Sequence, residues 1–446
     1  MKHLFILLKW LAALAVIALL FAAWLFDRDR APAGAPMGEQ VTENEAFLTA
    51  SIIRSAIDTS VQQRTHLMEN TAKHVSPPPS SDQTAPGYRP DAYRRDAHPK
   101  GHGCVVATFK VDKVQDRFAF GVFAQPGQYD ALIRFSSGSP TLQPDFMKDA
   151  RGMAVKLFNV PGKKLLPFEE DDTTQDFTMM NNPVFFIRTL EEYAQFNQML
   201  AYGNPKAYFI DPTGNPLKWH LRELWLGTGT QKPRPDSLAT TRFYSASAYA
   251  LGPNAYIKYS AVPCSSNKVM PPDAKQSKEL DYDYLRLELA NQAAAGSACF
   301  DFMVQAQVPG KNMPVEDTTV EWNEADSPFI KVATITFKPD PNNNSAENNT
   351  ACEAMSFNPW HSLASHRPVG VMNRVRKALY QEMSRFRTTK NCATFCQEKC
   401  AANSCSPGCS ESCASACPLL NEPAKTELPA DVCHPPAVAK RSSPVR

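Results

Sequence analysis

A series of short runs rich in β-branched and aromatic residues, each bounded by turn-forming segments, constrains this chain most. The runs are 105–111, 118–123, 129–135, 153–158, 256–261, 285–289, 300–308 and 332–337. Such residues fit a pleated, half-buried surface, and many short strands at this spacing predict a barrel or sandwich. A chain of 446 residues can bury a full core. Its 43% hydrophobic and 21% charged content is ordinary for a globular protein. A net charge of +2 gives no reason to expect nucleic acid as a partner, or strong steering toward anionic membranes.

The N-terminus has a different character. Residues 4–26 are apolar except for Lys9, and residues 10–26 form an uninterrupted stretch of 17 uncharged residues. That is at the short end for a membrane span. Lys2 and Lys9 precede it, which favours an N-in orientation. Residues 1–26 therefore read as an uncleaved anchor holding an exported body on the periplasmic or extracytoplasmic side. A cleaved signal sequence is the rival reading, in which the body is secreted. Residues 27–90 read as a linker followed by a helical arm, with Phe47, Ile52, Ile53, Ala56, Ile57 and Val61 as its apolar stripe.

The C-terminal residues 391–446 are rich in cysteine. Cys392, Cys396 and Cys400 recur every four residues, as do Cys405, Cys409, Cys413 and Cys417. That period puts each set on one helical face. In an oxidising compartment two such helices could be stapled as a hairpin, Cys400 to Cys409, Cys396 to Cys413 and Cys392 to Cys417. A thiolate site for Zn or Cu(I) is the alternative, and the spacing alone does not fix connectivity. Cys104, Cys264, Cys299, Cys352 and Cys433 are scattered and read as structural or free.

The chemistry is concentrated elsewhere. Arg376 and Tyr380 stand at i, i+4 on an expected helix, so their side chains can meet. A tyrosine ligates iron well only as phenolate, and a neighbouring cation favours that form. The pair is a way to build an anionic oxygen ligand for ferric haem.

Four upstream segments carry a wider pattern. They are Arg95-Asp-Ala-His98-Pro-Lys-Gly101, Ala131-Leu-Ile-Arg134-Phe-Ser136, Asp149-Ala-Arg151-Gly-Met-Ala-Val-Lys156, and Asn181-Asn182-Pro183-Val-Phe185-Phe186-Ile-Arg188. In order and spacing, with the Arg376/Tyr380/Arg387 segment, they resemble the haem-dependent catalase family, and within it a divergent bacterial catalase-like branch distantly related to allene oxide synthase domains. The resemblance covers about residues 90–390 and is weakest over 195–310. It implies an α+β fold for residues 91–390: an antiparallel eight-stranded β-barrel with surrounding helices.

The resemblance also implies roles. His98 would move the proton of a bound peroxide, with Ser136 hydrogen-bonded to it. Tyr380 would ligate the iron of a b-type haem, with Arg376 beside it. Arg95, Arg134 and Arg387 would bind the propionates, and Phe185, Phe186 and Tyr193 would wall the ring. Rigid counting back from Pro183 puts Met180 where the family has its distal asparagine, whereas a one-residue deletion puts Asn181 there. Asn181 is preferred, because a thioether cannot donate a hydrogen bond. The family's Phe and Asp near the proximal tyrosine are replaced by Ala378 and Glu382. The implied function is decomposition of hydrogen peroxide or an organic hydroperoxide by catalase- or peroxidase-type chemistry through a ferryl intermediate. A haem-binding sensor with little turnover, or a fatty-acid hydroperoxide isomerase, are the alternatives.

Overall fold

Strand β1 (Lys100–Val111) turns Val105, Ala107, Phe109 and Val111 inward and exposes Val106 and Lys110. This period-two pattern is set by the pleat. The computed structural model describes residues 2–30, 37–72, 89, 91–273 and 277–403. The further strands are β2 (Gly127–Ser137), β3 (Arg151–Leu157), β4 (Gln175–Met180), β5 (Phe243–Tyr244), β6 (Tyr249–Leu251), β7 (Ala255–Pro263), β8 (Cys299–Ala306) and β9 (Ile330–Phe337). They run in the order β5-β4-β3-β2-β1-β9-β8-β7-β6, and β5 also pairs with β7. Every pairing is antiparallel. The β5–β7 pairing closes a ring of eight strands, with β6 attached outside it through β7. This is the expected barrel, and closure removes the open edges.

The barrel interior is solid. Phe109, Phe123, Phe177 and Phe302 pack ring against ring at 4.9–6.5 Å between centroids. An eight-stranded barrel is just wide enough for side chains to fill it.

Two expected strands are not strands. Residues 118–123 form two single turns of 3-10 helix, Asp116–Phe118 and Gly121–Phe123, which bury Phe118, Val122 and Phe123 in the barrel core. Gly121 has φ +56°, and a Cβ there would fall 2.3 Å from His366 Nε2, so the chain turns where a strand would run straight. Residues 285–289 belong to helix α6 (Ser277–Ala295). Leu285, Leu289 and Ala293 face the barrel core, while Arg286 pairs with Asp283 and Glu288 accepts from Gln292. The helix is buried on several sides, which imitates the alternation of a strand. Strand β4, with Asp176 and Gln175 buried beside its apolar residues, carries too much polar sequence to stand out.

Helices cover part of the outside. The others are α1 (Lys2–Asp27), α2 (Glu45–Ala72), α3 (Leu190–Ala201), α4 (Lys206–Phe209), α5 (Leu221–Thr230), α7 (Ala346–Ala354) and α8 (Val371–Asn403). Within α1, His3–Asp27 is long and apolar enough to cross a membrane by length and composition. Helix α2 packs Ile52 and Ala56 against Leu190 and Ala194 of α3 and Val375, Leu379 and Met383 of α8. Of its expected stripe, Phe47 and Val61 are exposed instead.

Helix α8 is held at its start by a charge network. Arg374 pairs with Glu39, Glu45 and Glu316. The loop before it is fixed by Asp176 of β4, which accepts from Lys156 at 2.7 Å and contacts His361 Nδ1 at 2.7 Å, while Glu169 meets His361 Nε2 at 2.8 Å. Burial works against the charged imidazole, but Asp176 and Glu169 outweigh it and push His361 up to about 9. The folded state thus holds a proton that the unfolded chain releases near 6.5. This stabilisation is complete below about pH 6.5 and is lost as pH rises through about 9. Thermal melts should record that decline, and His361→Gln should flatten it while destabilising the protein by about 3–5 kcal/mol.

Two disulfides join elements of the core, Cys104–Cys352 and Cys264–Cys299. The first ties α7 to β1. Cys392, Cys396 and Cys400 fall on the last turns of α8, while the proposed hairpin partners and Cys433 lie outside the described residues.

Candidate active site

Four neighbouring strands set out the site by register. Ser136 of β2 pairs with Gly152 of β3, which pairs with Met180 of β4, which pairs with Tyr244 of β5. Alternation puts Phe135, Met153 and Met179 inside the barrel and this row outside it. Together with α3 and α8, the outer face of β2–β4 bounds a cavity of about 330 Å³, within the roughly 300–1,000 Å³ range of ligand pockets.

His98 projects into this cavity from the turn before β1. Its φ is +58°, an uncommon conformation for a side chain other than glycine. Arg95 Nε donates to the His98 carbonyl at 2.7 Å, and Ser136 Oγ lies 3.0 Å from His98 Nδ1. The ring lies over Gly152, where a Cβ would fall 2.7 Å from His98 Cε1 and 2.9 Å from Ser136 Oγ. Burial, and after it Arg95, Arg134 and Arg376, push His98 down to about 3. The imidazole is neutral at ordinary pH and can accept a proton.

Tyr380 and Arg376 of α8 also line the cavity, with the Arg376 guanidinium 5.8 Å from the Tyr380 ring centroid. Burial works against the Arg376 charge, but the phenols of Tyr380, Tyr249 and Tyr193 outweigh it and hold it above its ordinary value. Phe185 and Phe186 pack at 4.6 Å and Phe185 and Tyr193 at 5.8 Å, and all three line the same cavity.

Arg95, Arg134 and Arg387 gather in one part of the wall. Arg134 donates to the Met355 carbonyl at 2.9 Å, Arg387 to the Glu353 carbonyl at 3.2 Å, and Arg95 to the Glu353 carboxylate at 3.1 Å. Burial first, and then Arg95, push Arg134 well down and Arg387 to about 10. Burial of Glu353 is outweighed by Arg95 and Arg134, which hold its carboxyl below the usual range. Burial pushes the nearby Asp96 carboxyl up, toward its neutral form. Three guanidiniums against the Glu353 carboxylate leave two positive charges over. Arg95 Nη1 and Arg387 Nε are buried without a hydrogen-bond partner among the described residues. A dianionic group would relieve both features. A flat apolar ring with two carboxylates, bound between aromatic walls, fits this donor set.

Asn181 does not line the cavity. Its side-chain Oδ1 accepts from the Arg151 backbone N–H at 2.7 Å, and its backbone N–H donates to the Arg151 carbonyl at 2.9 Å. Met180 lines it instead. The expected placement of Asn181 is corrected by strand parity, since Met180 shares the outward face with Thr178 and the next residue does not. Sequence reasoning missed Gly152, Glu353 and Phe357. Gly152 sits inside the motif of residues 149–156, whereas Glu353 reaches the site through α7 and no local pattern marks it. Phe357 lies 4.2 Å below the Arg134 guanidinium.

A family model for Catalase matches residues 89–406. The chain belongs to the catalase family. Among curated proteins, Catalase A of Pseudomonas putida is 24% identical over 284 residues, which is 59% of this chain and 55% of that protein. Among solved structures, Catalase A from Saccharomyces cerevisiae superposes with a TM-score of 0.51 at 17% identity, covering 66% of this chain and 61% of that one. A fungal catalase gives 0.50 at 18% identity, covering 66% and 59%. At these identities the structural likeness establishes the catalase fold, and the chain spans little more than half the length of these catalases.

Proposed function

We propose that this catalase-family chain is a haem-dependent oxidoreductase that decomposes hydrogen peroxide or an organic hydroperoxide. The observation that carries the reading is the neutral His98, bonded to Ser136 and set over Gly152 in the cavity that Tyr380 and the three arginines also line. Tyr380 would hold the iron, with the Arg376 guanidinium beside its ring. Arg95, Arg134 and Arg387 would hold the two propionates, and Phe185, Phe186 and Tyr193 would exclude water from the ring. Haem held there would supply the redox chemistry that peroxide decomposition needs. His98 takes the proton from one peroxide oxygen and returns it to the other, which lets the O–O bond part without charge separation.

Met180 favours a second reading. The cavity wall carries a thioether where an amide donor was expected. This weakens orientation of a small peroxide and supports either a haem-binding protein with little turnover or isomerisation of a fatty-acid hydroperoxide. Oxygen release from millimolar hydrogen peroxide, oxidation of a guaiacol-type donor, and ultraviolet product analysis on a lipid hydroperoxide separate the readings. Oxygen release supports catalase chemistry, and bound haem with none of the three activities leaves the sensor. A preparation that takes up no haem overturns the proposal.

The apolar α1 supports attachment to a membrane, with the body on its outer side. The Cys104–Cys352 and Cys264–Cys299 disulfides are consistent with an oxidising compartment.

The seat under the imidazole gives a direct test of geometry. Gly152→Ala should displace His98 and lower peroxide turnover by up to about 100-fold, while haem content, read from the Soret band, stays unchanged.

A further inference from the structure

A second group of partly or fully buried polar side chains lies where the end of α1 meets α5. Asp29, His220 and Glu223 each offer a ligand atom, and these atoms lie within 4.8 Å of one another. Asp29 follows α1, His220 immediately precedes α5, and Glu223 lies in its first turn. The chain is fastened here by Arg28, which donates to the carbonyls of Leu217 at 2.7 Å and Trp219 at 2.6 Å, and by Arg188, which donates to the Asp29 carbonyl at 3.0 Å.

What sets the group apart is its unmet bonding. Asp29 Oδ1 has Arg28 at 3.4 Å, but among the described residues Asp29 Oδ2 has no hydrogen-bond partner. His220 Nδ1 has none, and neither oxygen of Glu223, a fully buried residue, has one. His220 Nδ1 and Glu223 Oε2 stand 4.0 Å apart, too far for a hydrogen bond and close enough to share an ion. The Tyr208 hydroxyl is a further independent sign. It is 4% exposed and without a hydrogen-bond partner, and its ring stacks on His220 at 4.5 Å. Buried polar atoms are nearly always paired, so such a concentration calls for a missing partner.

We propose that Asp29, His220 and Glu223 bind one divalent first-row cation of the zinc type. One imidazole nitrogen and two carboxylates suit such an ion, whereas calcium and magnesium prefer oxygen ligands throughout. The ion would bridge the segment after the apolar helix to the body, so that α1 and α5 are joined by coordination as well as by the Phe26–Trp225 ring contact at 5.9 Å. This inference does not depend on haem.

The test uses the full-length chain in detergent, without an affinity tag. It is stripped with a chelator, loaded with zinc chloride, desalted, and counted by mass spectrometry for zinc, with iron counted separately. The wild type should retain one more zinc per chain than Glu223→Gln or His220→Ala, and zinc should raise the melting temperature of the wild type alone. Loss of a ligand should weaken binding by more than about 100-fold. Zinc held by the cysteine-rich tail cancels in the comparison. If either variant fails to fold, Asp29→Asn carries the same test. Equal zinc in the wild type and the folded variants would overturn the proposal, as would retention of calcium or magnesium in preference to zinc.

Discussion

Tyr380→Phe is expected to abolish peroxide turnover and leave the fold standing. The substitution keeps the ring, which packs at the edge of the α2–α3–α8 cluster beside Leu379 and Met383, and removes one oxygen. If that oxygen is the anionic ligand to iron, no other group replaces it, because Phe offers no donor. Outer partners of metal ligands already cost about 10–100-fold when mutated, so loss of the ligand itself should cost more than about 100-fold in turnover. Stability should change by only about 1 kcal/mol, the usual worth of one hydroxyl. An oxygen electrode, a Soret spectrum and a thermal melt on the same preparation check the three parts. Turnover and spectrum matching the wild type would remove Tyr380 from the site.

His98→Ala should act differently. Haem should remain bound, since Tyr380 and the arginines are untouched, while the rate of peroxide reaction falls by about 10²–10⁴, the usual contribution of a positioned acid–base group. The wild-type rate should be flat on the acid side until pH nears about 3, where His98 takes up a proton. The same depressed value sets a stability slope. The unfolded chain binds a proton at His98 below about 6.5 and the folded chain does not until about 3, so stability falls as pH drops through that window. His98→Ala should remove that part of the slope. Rapid-mixing kinetics across pH and melts at matched pH measure both effects, and a variant as fast as the wild type would show that another group moves the proton.

The barrel was legible because its strands are short and rich in β-formers, and six of the expected runs are strands with shifted ends. The two failures have one cause. Alternation and aromatic content record burial, and α6 and the 3-10 turns at 116–123 are buried without being strands. The site was legible where a whole motif is local, as with Arg95 to His98 and Arg376 to Tyr380. It was not legible where a residue arrives by tertiary contact. Glu353 meets Arg95 across 258 positions of sequence. The choice between Asn181 and Met180 turned on hydrogen-bonding chemistry in the sequence and on pleat parity in the structure, and the two disagree.

The seating of the cavity on the outer face of β2–β4 divides the residues of those strands between two selective pressures. Phe135, Val155 and Phe177 answer to the density of the barrel core, while Arg134, Ser136, Gly152 and Met180 answer to whatever occupies the cavity. Alternate letters of one short segment can therefore drift under separate rules, and the pocket can be rewritten without reopening the core. Only an insertion or deletion couples them, because a one-residue slip trades every side chain to the opposite face.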